Sequence, residues 1–234
     1  MNSYKLAKYN IKSSLKSIII FYCIFISVII LISITSGKNS RFSGIEISSM
    51  IFLFVLGLNS FKENFYFSQA NNIPRIDYLK SIVITILPIA LVMSILDIIL
   101  NRIYNIFAVA PTIYDLFYGD FPRVYDYAGV WIQNNSIQIL IGTVTFLIAL
   151  YILAFAIGLL ITMIFYKCNK TMRILIFLSP IVIEAILGSV IYRFPQFGEK
   201  SGAFIDNILG ISTQNSYICA ITFICLFIIT MCFV

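Results

Sequence analysis

The stretch SIQILIGTVTFLIALYILAFAIGLLITMIFY, residues 136–166, runs for 31 residues without a single charge. About 20 helical residues suffice to cross a hydrocarbon core of roughly 30 Å, so this segment spans with length to spare and must tilt or extend past the membrane. Backbone amides cannot be left bare in lipid, so the segment is a helix. The period-two alternation of a barrel strand is absent.

Working outward, five more apolar stretches qualify as spans: residues 17–34, 45–61, 81–100, 174–192 and 217–234. The second is the weakest, being short and carrying Glu46, Ser48, Ser49 and Asn59. The composition agrees with this count of spans. Sixty per cent of the 234 residues are hydrophobic, 11% are charged, and the mean hydropathy is +0.98. No soluble globule covers such a chain with polar surface. The expected fold is an all-α polytopic membrane protein with six transmembrane helices. The first apolar run lacks a small-x-small cleavage site and is read as a retained span rather than a signal peptide. Histidine is absent, which excludes histidine triads, metal sites and proton relays. Cys23, Cys168, Cys219, Cys225 and Cys232 form no CxxC pair and suit inert thiols, so no metal site is expected.

Orientation follows from Lys and Arg. The N-terminal segment holds Lys5, Lys8, Lys12 and Lys16; residues 62–80 hold Lys62, Arg75 and Lys80; residues 167–173 hold Lys167, Lys170 and Arg173. These ten basic residues face two acids, Glu63 and Asp77, whereas the alternate loops carry six basic and six acidic residues. Both termini are therefore expected in the cytoplasm, and the protein in a plasma membrane.

Four segments outside the spans carry information. Tyr4, Ala7, Ile11 and Leu15 share a helical stripe beside the four lysines, which suits an interfacial helix over residues 1–16 resting on anionic lipid. The alternative is a plain positive-inside anchor. Residues 62–80 mix aromatics with charges, and Pro74 would launch a helix at Arg75–Lys80 that runs into the third span. That element either rests on the membrane or fits a groove on a cytoplasmic partner. The large outer loop, residues 101–135, is dense in aromatics, among them Tyr104, Phe107, Tyr114, Tyr118, Phe121, Tyr125, Tyr127 and Trp131, and reads as an interfacial cap or a gate. The apolar island 203–211 is too short to span and is expected to dip part-way in as a re-entrant element.

Ionisable groups inside the membrane are candidate functional groups. Glu184 falls mid-way along the fifth predicted span and is either bundle glue or part of a transport path. Asp97 lies near the outer end of the third, where it meets water or pairs with Arg102. Pro88 and Pro180 allow kinks, and Ala154 with Gly158 forms a small-xxx-small pair that would admit another helix closely. No GxxxxGK[ST], HExxH or GxSxG motif is present, and no carboxylate pair is set for acid–base work. No catalytic residue is expected, and if ATP energises the protein another chain must hydrolyse it.

The Lys-rich lead-in KLAKYNIKSSLKSIIIFYCIFI, the segment NIPRIDYLKSIVI and the passage GISTQNSYICAITF into the last span resemble the ABC-2-type permease subunits of bacterial ABC exporters. The closest likeness is to small Firmicute permeases that export, or confer immunity to, bacteriocins and peptide toxins. The resemblance implies that residues 72–80 form a coupling helix docking on a cytoplasmic ABC ATPase, with Arg75, Asp77, Tyr78 and Lys80 in contact. It implies a dimer with a second permease copy or a paralogue, amphipathic peptide cargo, and no nucleic-acid partner. ATP and Mg would be bound by the ATPase, leaving this chain without a cofactor. The chain departs from the family in its large 101–135 loop and in ending at Val234 without a basic tail, which fits a shortened C-terminus. The rival reading is a stand-alone membrane protein, either an ion-coupled carrier using Glu184 and Asp97 or an ATPase-free immunity protein.

Overall fold

The computed structural model describes residues 3–36, 44–106, 109–119 and 131–233. Phe107, Phe121, Tyr125, Tyr127 and Val234, named above, lie outside them, as do Lys38, Arg41, Asp120, Arg123 and Asp126 among the charges of the alternate loops. The described chain is helical, with no β-strand among the described residues. In chain order it forms α1 (Ser3–Ser36), α2 (Ile45–Ser60), a π-helical turn (Phe61–Phe65), α3 (Tyr66–Ala70), α4 (Arg75–Tyr104), α5 (Ile113–Phe117), α6 (Ile137–Lys167), α7 (Lys170–Arg193), α8 (Pro195–Ile208) and α9 (Ser216–Phe233). Five of these, α1, α4, α6, α7 and α9, are long and apolar enough to cross a membrane. Several such helices in one chain mark a membrane-embedded protein.

The expected sixth span corresponds to α2, which has 16 residues and is shorter than the other five. Its helical backbone nevertheless continues unbroken through the π-helical turn and α3 to Ala70. The expected 62–80 loop is thus mostly helix. The chain reverses over residues 71–74, where Asn72 takes a positive φ of 53° and Ile73 N–H closes onto the Ser68 carbonyl at 2.9 Å. Pro74 then caps α4, which starts at Arg75.

No break separates an interfacial helix 1–16 from the first span. The helix α1 is continuous over 34 residues, about 51 Å at 1.5 Å per residue. The expected stripe is split: Ala7 is buried and Ile11 half-buried, while Tyr4 and Leu15 are exposed beside Lys5, Lys8, Lys12 and Lys16. The buried row runs through Leu6, Asn10, Ile18 and Tyr22, with Ser14 half-buried. The buried row packs on α4, which leaves the lysine side free for headgroups or solvent.

The core helices share one packing device, the ridge formed by every fourth residue. On α2 it is Ile45, Ser49, Leu53, Gly57 and, one step past its end, Phe61; on α4, Ser81, Thr85, Ile89, Met93, Asp97 and Asn101; on α6, Thr143, Leu147, Tyr151, Phe155 and Leu159. The row on α1 has the same spacing. The most extensive contact, α2 on α6, depends on two glycines. A methyl group at Gly57 would strike the Phe155 carbonyl oxygen, and one at Gly158 the Phe54 carbonyl oxygen. The backbones touch, and the Thr162 hydroxyl bridges them by donating to the Leu58 carbonyl at 2.9 Å. The partner admitted by Ala154 and Gly158 is therefore α2.

Contacts sort the connecting segments into two ends. Tyr9 stacks on Phe67 at 5.0 Å, the Ser3 hydroxyl donates to Asp77 at 3.0 Å, and Phe61, Phe65 and Tyr66 surround Tyr166. This is the lysine-rich end. At the other, the cap end, Tyr114 and Tyr118 lie on Phe146, and the Tyr118 hydroxyl donates to the Leu209 carbonyl at 2.6 Å. Burial holds that hydroxyl well above the ordinary tyrosine pKa, so it stays a donor.

The helix α7 differs from the rest. It carries no buried residue, and its chief contact is with α8. The latter is amphipathic, with Phe204, Ile205 and Ile208 exposed, and the island 203–211 forms its last turns and C-cap. Gly210, at φ 66°, ends it.

Candidate polar site in the helix bundle

Asp97 sits on α4 with no exposed surface and draws a hydroxyl from each of the three neighbouring core helices. Tyr22 of α1 donates to Oδ1 at 2.9 Å, Ser49 of α2 donates to the same oxygen at 3.0 Å, and Tyr151 of α6 donates to Oδ2 in a short bond. Three donors on one carboxylate tie four helices to one point. Asp97 is enclosed rather than at the surface, and among the described residues Arg102 makes no hydrogen bond to it.

One turn further along α4 lies a polar cap. Asn101 donates to the Ala110 carbonyl at 3.0 Å and accepts from Gln133 Nε2 at 2.8 Å. Asn105 donates to Gln133 Oε1 at 2.7 Å and accepts from the Ala110 amide at 2.7 Å. A reciprocal capping box starts α5, with Asp115 N–H on Thr112 Oγ1 at 3.0 Å and Thr112 N–H on Asp115 Oδ2 at 3.1 Å. Gln133 Nε2 also reaches Asp115 Oδ2 at 3.3 Å. The described part of the 101–135 loop therefore lids the bundle through side-chain amides. Beneath it, Glu46 of α2 is fully buried with both carboxyl oxygens unbonded.

At the lysine-rich end the bundle opens into a cavity of about 110 Å³ lined by Ser13, Ser14, Ser17, Asn59, Ser60, Asn64 and Thr85, with Leu56, Ile89 and Phe155 at its apolar wall. Its hydroxyls and amides suit water or a polar solute.

The other residues singled out from sequence are dispersed. Arg75 and Lys80 are exposed at the start of α4. Asp77 is half-buried and held by Ser3. Tyr78 is 2% exposed and donates to the Ser60 carbonyl at 3.3 Å, so it packs inside rather than facing outward. Lys5, Lys8, Lys12 and Lys16 are all exposed. Glu184 is exposed on α7, apart from Asp97 and the core. Glu46, Tyr22, Ser49, Tyr151, Asn101 and Gln133 were not anticipated as a site. Their signal was the row of polar residues at four-residue spacing on α4, which marks the face that other helices must cover. Comparison with protein-family models, with curated proteins and with solved structures yields no match.

Proposed function

We propose that this chain is the membrane subunit of an ATP-driven exporter of the ABC-2 kind, six-spanning with both ends in the cytoplasm. It works as a pair with a second copy or a paralogue, and a separate ATPase supplies the energy. The observation that carries this reading is α7, a 24-residue apolar helix with no buried residue and a glutamate near its middle. A carboxyl group at mid-membrane is costly against lipid and calls for a protein or aqueous partner. A half-bundle completed by another chain supplies one, and the shared face then offers an apolar path for amphipathic or hydrophobic cargo such as peptides.

Support for the coupling role comes from the lysine-rich end. Arg75 and Lys80 are exposed on the first turns of a helix whose other end holds Asp97, so a push there moves the whole α4 rod. Tyr78 and Asp77 serve this role by anchoring the helix start to Ser60 and Ser3, leaving the two cations as contacts. The ion-coupled carrier reading keeps a buried Asp97 but loses the proximity of Glu184 to it. The test is affinity purification of the full chain from its native membranes. A nucleotide-binding ATPase should accompany the wild type and be lost from Arg75→Ala/Lys80→Ala. Retention of the ATPase by that variant would refute the coupling assignment.

A further inference from the structure

Among the described residues, three carboxyl groups and one guanidinium gather at the cap end. Asp97 receives three hydroxyl donors, and Asp115 receives the Thr112 amide and Gln133. Glu46 is as buried as Asp97, yet neither of its carboxyl oxygens completes a hydrogen bond; the amides of Glu46 itself and of Ile113 are only near neighbours. Arg102 is also unsatisfied, its Nε, Nη1 and Nη2 all shielded from solvent without an acceptor.

Glu46 and Ser49 are three residues apart on one face of α2, so Glu46 lies one turn from the hydroxyl that binds Asp97. The charged and titratable groups that act on it come from every neighbouring element: Asp97 and Arg102 from α4, Asp115 from α5, Tyr151 from α6 and, through Asp97, Tyr22 from α1. Were all three acids ionised, the one guanidinium among the described residues there would leave two negative charges without a described cation. A buried charge without partner or donor is the least tolerable of these arrangements. The donors that Asp97 and Asp115 hold have no counterpart at Glu46. Glu46 is the group left to take up a proton.

The geometry points to Glu46 as a proton-binding site within the bundle, with Asp97 as its hydroxyl-bonded neighbour and Arg102 as its alternative partner. In one state the proton sits on a Glu46 oxygen and Arg102 is unpaired. In the other the proton has left for water at the cap, where Asn105 and Gln133 are half-exposed, and the Glu46 carboxylate swings to Arg102. Proton release then draws the start of α2 toward the end of α4. The site stands with or without an ATPase partner.

The experiment is infrared difference spectroscopy of the full chain in liposomes, following the C=O stretch of protonated carboxyl groups from acid to alkaline pH. Wild type should show a buried protonated carboxyl at neutral pH that is lost on alkaline titration and absent from Glu46→Gln. Arg102→Gln, which removes the cation that favours the ionised form, should tighten proton binding about tenfold and move the midpoint up. Three results would each overturn the proposal: no such band in wild type, a band removed by Glu184→Gln but kept in Glu46→Gln, or a midpoint indifferent to Arg102→Gln.

Discussion

Asp97 shows what a single position can and cannot reveal. Its place near the end of a span was readable, though Glu184, at mid-span, looked the stronger candidate. Its surroundings were not, because Tyr22, Ser49 and Tyr151 come from 75, 48 and 54 residues away in sequence. Distance from a span end suggested water, while tertiary packing supplied hydroxyls. Hydrogen bonds between membrane helices contribute about 0.6 kcal/mol on average and up to about 1.7. Tyr151→Phe should therefore lower the unfolding free energy by about 1 kcal/mol, read from denaturant titration in micelles. Asp97→Leu should cost more, since it strands three buried hydroxyls at once. In the double variant the Tyr151→Phe effect should largely vanish. Full additivity of the two changes would mean that this bond does not contribute.

At the scale of elements, the existence of the long helices and their approximate bounds were legible from hydropathy alone. The stretch 136–166 predicted α6 to within a residue or so at each end. Which face of each helix turns inward was not legible, because in a membrane protein both the lipid side and the core side are apolar and the usual amphipathic period disappears. Only the scattered polar residues mark the inner row, and on α1 the stripe read beside the lysines meets the buried face at Ala7 and Ile11 but not at Tyr4 or Leu15. The Ala154–Gly158 pair was a correct local clue, but its partner Gly57 had no small neighbour in register to announce it. Gly57→Ala and Gly158→Ala each force a methyl into a carbonyl of the facing helix and should destabilise by about 1–3 kcal/mol. Gly188→Ala on α7 meets open space and should change thermal stability by no more than about 0.5 kcal/mol. Equal loss at Gly57 and Gly188 would refute the close α2–α6 approach.

For the whole molecule, the unequal charge of the connecting segments is written in the order of the residues, and contacts gather the described basic segments at one end. What sequence could not separate was a helix buried in the bundle from one with no buried residue, since α6 and α7 are both long and apolar. A photo-reactive residue at position 184 tests whether another chain covers α7. In native membranes it should yield a protein adduct well above the 26.6 kDa of the single chain, formed with a second copy or a paralogue. Labelling of lipid alone would remove the half-bundle. The most direct test of the exporter reading is ATP hydrolysis by the co-purified ATPase, measured with this chain in nanodiscs. The account predicts that the wild-type chain changes the turnover rate several-fold and that Arg75→Glu/Lys80→Glu abolishes the effect while α4 stays folded. A chain that brings no ATPase from its membranes, or an ATPase whose rate ignores both cations, would contradict it.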